Sequence, residues 1–189
     1  MGRWEPDTAE RLRAAAMELF AAVGYEETTV AEIADRAGVT SRTFFRYFAD
    51  KPEVLFADSE NLEREMVAAV ATAPAGASPR AALDAALDRA ATILSGRADF
   101  ARRRHAVISG NGALRERETM KMARLSDALA TALHDRGVPE PLATMSAHAG
   151  VAAFHVAFAA WADDPATDMR QAMADNVDAL AAVVLRPGR

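Results

Sequence analysis

The sequence predicts an all-α protein of about nine helices, and its composition and residue spacing both support this. Alanine accounts for 46 of the 189 residues, whereas valine and isoleucine together number only 16. Alanine has the highest helix propensity, and β-branched residues favour strands. Apolar residues also recur at helical spacing in segments that glycine and proline separate. A β-sandwich or a parallel-sheet enzyme is therefore strongly disfavoured.

The first two predicted helices have clear start and stop signals. The first covers about residues 7–23 and ends at Gly24, a residue type that commonly terminates helices. Thr29 is the predicted N-cap of the second helix, and Glu32 completes a capping box. Gly38 ends that helix after only two turns. One face of the first helix is apolar and contains Leu12, Ala16, Leu19, Phe20 and Val23.

A third helix is predicted over about residues 41–48, and a fourth follows it. Phe44 and Phe48 are four residues apart, so both can anchor one side of the third helix. Asp50 is the predicted cap of the fourth helix, which extends to about residue 73.

The composition changes after residue 73, where a segment rich in proline, glycine and serine interrupts the helical pattern. We therefore expect two domains, residues 1–50 and residues 51–189. Five further helices are predicted, over about residues 79–95, 98–109, 112–136, 139–163 and 166–185.

The second and third helices, with the glycine turn between them, form a predicted helix-turn-helix. In that motif the N-terminal residues of the second helix enter the major groove of DNA. Residues 1–52 carry a net charge of −2, but residues 36–51 carry +3. Threonine, serine and tyrosine hydroxyls in the same segment can bind phosphates or base edges. Short helix pairs with a glycine turn also occur in helical bundles without any DNA role, so the local pattern alone leaves both readings open.

The run from Leu19 to Lys51, LFAAVGYEETTVAEIADRAGVTSRTFFRYFADK, strongly resembles the tetracycline-repressor (TetR) family of bacterial transcriptional regulators. The resemblance covers about residues 8–56. It implies a homodimer with two N-terminal helix-turn-helix heads and a C-terminal helical body for ligand binding and dimerisation. It also implies a repressor that a small organic effector releases from a palindromic double-stranded DNA operator, and not an enzyme.

The resemblance implies a set of DNA contacts by position. Arg3 lies in an N-terminal arm that in some relatives reaches the minor groove, and Lys51 matches a lysine that contacts a phosphate. Many members have glycine where Arg42 stands, and Arg42 is expected to bind a base or a phosphate. Many also have tyrosine where Phe45 stands. Phe45 has no hydroxyl, so it is expected to make an apolar contact, for example with a thymine methyl. The remaining implied contacts are Thr28 or Thr29, Thr40, Ser41, Thr43, Arg46 and Tyr47.

The C-terminal body carries weaker signals, because residues at helical spacing are usually plain core. The family places a pocket among the body helices, and an adaptable, largely apolar site suits methionine and aromatic side chains. The candidates for the effector pocket are Leu62, Met66, Phe100, His105, Ile108, Met122, Phe154 and Phe158. The last two helices are expected to form the dimer interface through Val151, Trp161, Met173, Val177, Leu180 and Val184.

The remaining features favour structural explanations, and no cofactor is predicted. Residues 141–162 contain no Asp, Glu, Lys or Arg and are long enough to span a membrane, but their polar residues and acidic flanks favour a buried helix. His148 and His155 share one helix face, yet the chain has no cysteine and no H-E-x-x-H motif, so packing or interface contacts are expected rather than metal binding. The N-terminus lacks an apolar leader, which predicts a cytoplasmic protein. A helical enzyme or ligand carrier remains the competing class, and the acidic composition disfavours a nucleoid protein.

Overall fold

The structure is a computed structural model that describes residues 7–185, with side chains from Thr8 to Val183. Ten regular elements lie in this range, and all are α-helices, which confirms the predicted all-α class. In chain order they are α1 (Asp7–Ala22), α2 (Val30–Arg36), α3 (Ser41–Tyr47), α4 (Glu53–Phe56), α5 (Ser59–Thr72), α6 (Pro79–Ser95), α7 (Ala98–Ser109), α8 (Gly112–Asp135), α9 (Glu140–Asp163) and α10 (Met169–Leu185).

Ser78 is the N-cap of α6 as predicted, whereas the N-cap position of α4 is Pro52, two residues after the predicted cap Asp50. The side chains of Asp50 and Ser78 each accept a hydrogen bond from the backbone N–H three residues later, at 2.8 and 3.1 Å. The predicted fourth helix, however, is present as two helices, α4 and α5, with Ala57 and Asp58 between them. This division accounts for the tenth helix.

The described chain divides into two compact units. The first, here called the head unit, contains the chain up to Asp58 together with residues Arg103–Glu116. The second, here called the body unit, contains Ser59–Arg102 and the chain from Arg117 onward. The predicted boundary after residue 50 falls before α4, whereas the head unit also includes α4 and parts of α7 and α8. No pattern in the sequence indicated that second segment.

The head unit has its own apolar core. In this unit α1 contacts α2 and α4, and α2 contacts α3. Arg104 ties the second segment of the unit to α4, because its Nε donates to the carbonyl of Leu55 at 2.6 Å and its guanidinium lies 4.9 Å from the ring centre of Phe56. The buried core side chains of α1–α4 include Leu12, Ala16, Phe20, Ile33, Ala34, Phe44, Val54, Leu55 and Phe56.

The body unit packs α6 against α5, α9 and α10, and its high alanine content explains how closely these helices approach. A Cβ atom placed on Gly150 of α9 would lie 3.5 Å from a methyl group of Leu83 on α6. Small side chains at such crossings bring helix backbones close enough for extensive van der Waals contact. The buried alanines of the two helices include Ala82, Ala86, Ala90, Ala143, Ala147 and Ala157.

Helix α9 has one buried side and one exposed side. Among the described residues it is the helix that is long and apolar enough to cross a membrane, by length and composition only, and 44% of its apolar window is buried. The buried side belongs to the core of the body unit and includes Val151, Phe154 and Trp161. The predicted buried helix is therefore only half buried, and its other side carries exposed apolar residues.

Candidate nucleic-acid interface

The turn between α2 and α3 is a Schellman-type helix end. Gly38 has φ +71°, a left-handed conformation that glycine adopts without steric cost. Its N–H donates to the carbonyl of Asp35, and the N–H of Val39 donates to the carbonyl of Ala34, both at 2.9 Å. This pair of hydrogen bonds fixes the point at which α2 ends and the direction in which the chain enters α3.

The first turn of α3 is rich in hydroxyl groups. Thr40 is the N-cap, and its side chain accepts from the backbone N–H of Thr43 at 3.2 Å. The hydroxyl oxygens of these two threonines lie 3.1 Å apart. Thr40 is exposed, and Ser41 and Thr43 are partly exposed. The start of α3 therefore presents three hydroxyls next to the helix end that would enter a groove first.

Two phenylalanines anchor α3, as the sequence predicted. Phe44 and Phe48 are both buried, and their ring centres lie 5.4 Å apart. With this side fixed, Arg42, Phe45 and Arg46 are exposed on the rest of the helix surface. The anchoring matters because a helix that reads base edges must be held rigidly.

The aromatic residues on the outer surface of α3 differ in their surroundings. Phe45 is 56% exposed, and its ring packs edge-on against Phe44 with centres 5.4 Å apart. Tyr47 is also exposed, and the guanidinium of Arg46 lies 5.1 Å from its ring centre. An exposed phenylalanine on a rigid helix is costly to solvate and is suited to contact with a thymine methyl.

The positive charge of this segment is concentrated in two arginines. The charge of Arg36 is already compensated, because its guanidinium forms an exposed ion pair with Glu18 of α1 at 2.8 Å. Arg42 and Arg46 are exposed, and neither forms an ion pair with another residue in the described range 7–185. The uncompensated charge therefore lies on α3 itself.

Lys51 has a different environment from the one that its predicted phosphate contact suggests. Its Nζ donates to the backbone carbonyls of Tyr25, Glu26 and Thr28 at 2.7, 3.3 and 2.8 Å. It also lies 4.2 Å from the ring centre of Tyr25. An ammonium group has three donors, and three acceptors surround it here. Lys51 thus fastens the start of α4 to the loop before α2.

The start of α2 separates the two threonines that the sequence left as alternatives. Thr28 is only 1% exposed, and its hydroxyl donates to the carbonyl of Gly24 at 2.7 Å. Thr29 is exposed and shares the predicted capping box with Glu32, whose carboxylate accepts from the Thr29 backbone and hydroxyl at 2.8 Å. The backbone N–H and then the hydroxyl of Thr29 hold the pKa of the Glu32 carboxyl below its ordinary value. Thr29 is thus the accessible member of the pair.

The predicted effector-pocket residues are distributed over both units, and Arg3 lies outside the described residues. His105 and Ile108 belong to the head unit, and the other six belong to the body unit. In the body unit Met66, Phe154 and Phe158 are buried in the core, with Leu62 and Met122 packed against it. None of the eight lines the open groove between α6, α9 and α10 of the body unit.

The predicted dimer-interface residues are mostly internal. Val151, Trp161 and Met173 are buried in the core of the body unit, so their assignment to the interface stays a prediction that their burial does not support. Val177 is partly buried against the same core, and Leu180 is exposed. The side chain of Val184 lies outside the described residues. Helix α9 is apolar around most of its circumference, so the periodicity of its sequence does not show which side faces α6.

The exposed apolar surface of α9 and α10 includes residues that the sequence reasoning did not name, among them Leu142, Met145 and Val156. An open groove of about 430 Å³ lies between α6, α9 and α10, and Leu83, Leu142, Met145, Val177 and Leu180 contribute to its lining. Met145 is 70% exposed. The other exposed large apolar residues of these two helices are Val156 and Val183. The absence of charge from residues 141–162 was the available signal, since a solvated helix face normally carries charged residues.

The fold and the site together define a helix-turn-helix head joined in sequence to a separate helical unit, and comparison with known families identifies the class. Residues 12–57 match the model of bacterial regulatory proteins of the tetR family. Residues 77–185, more than half of the chain, match the model of the MftR C-terminal domain. The chain therefore belongs to the TetR family of bacterial transcriptional regulators, as its sequence motif predicted.

Individual relatives agree with this assignment. The HTH-type transcriptional regulator TcmR of Streptomyces glaucescens is 43% identical over 79 residues, which are 42% of this chain and 35% of TcmR. The match thus spans about a third of the length of that relative. SmeT of Stenotrophomonas maltophilia, in a complex with triclosan, is 21% identical with a TM-score of 0.68 and 96% of each chain covered. FadR of Thermus thermophilus, in complex with lauroyl-CoA, is 25% identical with a TM-score of 0.62, and the match covers 96% of this chain and 97% of FadR.

Proposed function

We propose that this chain is a homodimeric transcriptional repressor that a small organic effector releases from a palindromic operator. The observation that carries the proposal is the exposed surface of α3. Its buried side is fixed by Phe44 and Phe48, while Arg42 and Arg46 are exposed without an ion-pair partner in the described range. A rigid helix that offers hydroxyls, cations and one apolar ring has the groups that read and hold a DNA major groove.

The contacts divide into base readers and phosphate binders. Arg42 lies in the first turn of α3, where side chains reach base edges, and arginine pairs best with guanine. Phe45 would contact a thymine methyl. Arg46 and Tyr47 lie in the last turn and would hold the sugar-phosphate backbone together with Thr29 and the hydroxyls of Thr40, Ser41 and Thr43. Arg3 would reach the minor groove from the N-terminal arm.

The exposed side of α9 and α10 would form the dimer interface. Leu142, Met145, Val156, Leu180 and Val183 are all exposed on these two helices. Contiguous apolar surface of this kind marks a protein or membrane contact. We assign it to a second copy, because an isologous interface explains it without a membrane. A twofold axis would place two α3 helices about 34–36 Å apart, which is one turn of DNA.

The effector is proposed to be a small, largely apolar molecule that binds the body unit. SmeT, solved with triclosan, and FadR, solved with lauroyl-CoA, support an effector with a substantial apolar part. The predicted lining residues of the body unit remain the candidates, with Met66, Phe154 and Phe158 as its apolar centre. An effector that binds better to the form with the wrong head spacing would shift the population away from the operator-bound form.

We infer regulation in the cytoplasm and no catalytic activity. Relatives such as TcmR are named as transcriptional regulators, which supports this reading over the enzyme alternative. A regulator that binds bacterial DNA works where that DNA is, in the cytoplasm.

A mobility-shift experiment tests the proposal most simply. The duplex is the region upstream of the gene that encodes this chain, and an unrelated duplex of equal length is the competitor. A shift that the unrelated duplex does not remove is expected, and apolar small molecules are then screened for its release. The absence of any specific shift at low salt would contradict the DNA-binding assignment.

A further inference from the structure

The exposed side of α9 carries two histidines that neither the DNA contacts nor the proposed effector site uses. His148 and His155 are both exposed. They are seven residues apart, so they point in nearly the same direction and are separated by about 10.5 Å along the helix. The two rings of a single chain are not arranged to share one metal ion, because the His148 ring is directed toward the Thr144 carbonyl, one turn toward the N-terminus and away from His155.

A hydrogen bond fixes which nitrogen of His148 is available. Its Nδ1 lies 3.0 Å from the backbone carbonyl oxygen of Thr144. A carbonyl oxygen only accepts hydrogen bonds, so Nδ1 carries the proton and Nε2 of the neutral ring keeps its lone pair. Metal-binding histidines are held in this way, with one ring N–H donated to a carbonyl or carboxylate.

The exposed stripe of α9 is symmetric about the point between the two histidines. Leu142 and Ala160 lie near the two ends of the stripe, and Met145 and Val156 lie inside them. The midpoints of both pairs, and of the histidine pair, fall between residues 150 and 152. Ala152 is the exposed residue at this centre, and its small side chain permits a close helix crossing.

We propose that α9 crosses the same helix of a second copy antiparallel at this centre, and that the crossing creates two sites for divalent transition-metal ions. In an antiparallel twofold pair, a residue before the centre faces the residue equally far after the centre on the other helix. His148 therefore faces the partner's His155, and His155 faces the partner's His148. The inference rests on the proposed dimer, and each site is incomplete without the second copy.

The donor atoms determine the metal class. Two imidazole nitrogens favour Zn²⁺, Ni²⁺, Co²⁺ or Cu²⁺ over Mg²⁺, which prefers oxygen ligands. Residues 141–162 contain no carboxylate, and the carboxylates of α9, Glu140 and Asp163, lie eight residues beyond the two histidines at the ends of the helix, so this part of α9 offers no acidic ligand that would favour Mg²⁺. Metal binding and dimer formation are then thermodynamically linked, and each strengthens the other by the same factor.

The first experiment measures zinc binding and oligomeric state of the full chain. After treatment with EDTA and removal of the chelate, titration with ZnCl₂ in a calorimeter should show one ion per chain. Sedimentation should show dimerisation tightened by about tenfold with zinc, within the usual range of such coupling, and unchanged with MgCl₂. A chain that stays monomeric with and without zinc would overturn the inference.

Two variants show whether the ligands come from different chains. His148→Ala and His155→Ala should each abolish zinc binding, because each removes one ligand from both sites. An equimolar mixture should recover about a quarter of the wild-type stoichiometry, because half of the randomly formed dimers keep one complete pair. The matched control is His134→Ala, an exposed histidine of α8 whose Nδ1 also lies near a backbone carbonyl, and it should bind zinc as wild type does.

The outcomes separate this inference from the proposed function. Zinc binding that either single variant retains at the wild-type stoichiometry, or no recovery in the mixture, would contradict the intersubunit site. DNA binding measured in EDTA does not depend on the metal. If the wild-type protein does not bind DNA in EDTA, the repressor proposal is contradicted. The intersubunit zinc site is then judged separately, from the mixture experiment.

Discussion

Three arginines in or next to the helix-turn-helix differ in what their guanidinium groups face. Arg36 pairs with Glu18 at 2.8 Å, whereas Arg42 and Arg46 form no ion pair with another described residue. An arginine that is already neutralised releases fewer counterions from DNA than a free one. The charge available to DNA is therefore set by pairing and not by the count of basic residues.

Arg46→Ala should weaken operator binding and lower the slope of log K against log salt by about one unit, because one phosphate contact is lost. Fluorescence anisotropy with a labelled duplex at several salt concentrations measures this slope. Arg36→Ala is the matched control, and its slope should stay close to that of wild type. Equal slopes for wild type and Arg46→Ala would exclude Arg46 as a phosphate ligand.

Lys51→Met should act on stability more than on DNA binding. The substitution keeps the chain length but removes the donors to three carbonyl oxygens. Hydrogen bonds from charged groups contribute about 1.5–3 kcal/mol, so urea denaturation should show a loss of about 2 kcal/mol. Arg42→Met, at an exposed position, should stay within about 0.5 kcal/mol of wild type. Unchanged stability together with a lower salt slope would instead support the phosphate contact that the family resemblance implies.

At the scale of the element, α2 depends on its two ends. The Thr29–Glu32 capping box fixes its start, and the left-handed Gly38 fixes its end. The capping box and the glycine each lie within four residues of the helix end that they determine. That is why the sequence predicted α2, the turn and the start of α3 correctly.

The capping box predicts a pH dependence with a defined sign. The folded state lowers the pKa of Glu32 from its ordinary value near 4.5. The ionised carboxylate therefore contributes its full share to folding stability above that pH, and this stabilisation is lost as the pH falls through the lower folded pKa. Glu32→Gln keeps a neutral capping partner without the charge. The stability difference between wild type and Glu32→Gln should therefore shrink as the pH falls below 4.5 and through the lower folded pKa, as followed by urea denaturation. A difference that stays constant over this range would contradict the account.

Longer-range features were less predictable. Lys51 binds carbonyls more than twenty residues earlier in the chain, and Arg104 binds a carbonyl about fifty residues earlier. No local pattern encodes such contacts. Helix α9 shows the same limit, because Val151 and Met145 are equally apolar in sequence although one is buried and the other is exposed. Only packing against α6 and α10 distinguishes them.

In the whole molecule, binding to a palindromic operator requires a dimer of two identical chains. Met145→Glu combined with Val156→Glu should give a monomer in sedimentation experiments, because charges buried in an apolar interface cost several kcal/mol. The affinity for the operator should fall as the dimer is lost. Met120→Glu is the control, because Met120 is an exposed apolar residue of a different helix, α8. A double variant that remains dimeric would place the interface elsewhere.

The central claim is that two outward-facing α3 helices read DNA from one dimer. Selection of bound duplexes from a random pool tests it most directly, with the recovered sequences aligned without any assumed motif. A dimer that reads DNA with two α3 helices should select an inverted repeat whose half-sites are centred about one helical turn, roughly 10–10.5 base pairs, or a multiple of it apart. Arg42→Ala should relax one position in each half-site. Recovery of no common sequence, or of single sites without a repeat, would contradict the claim.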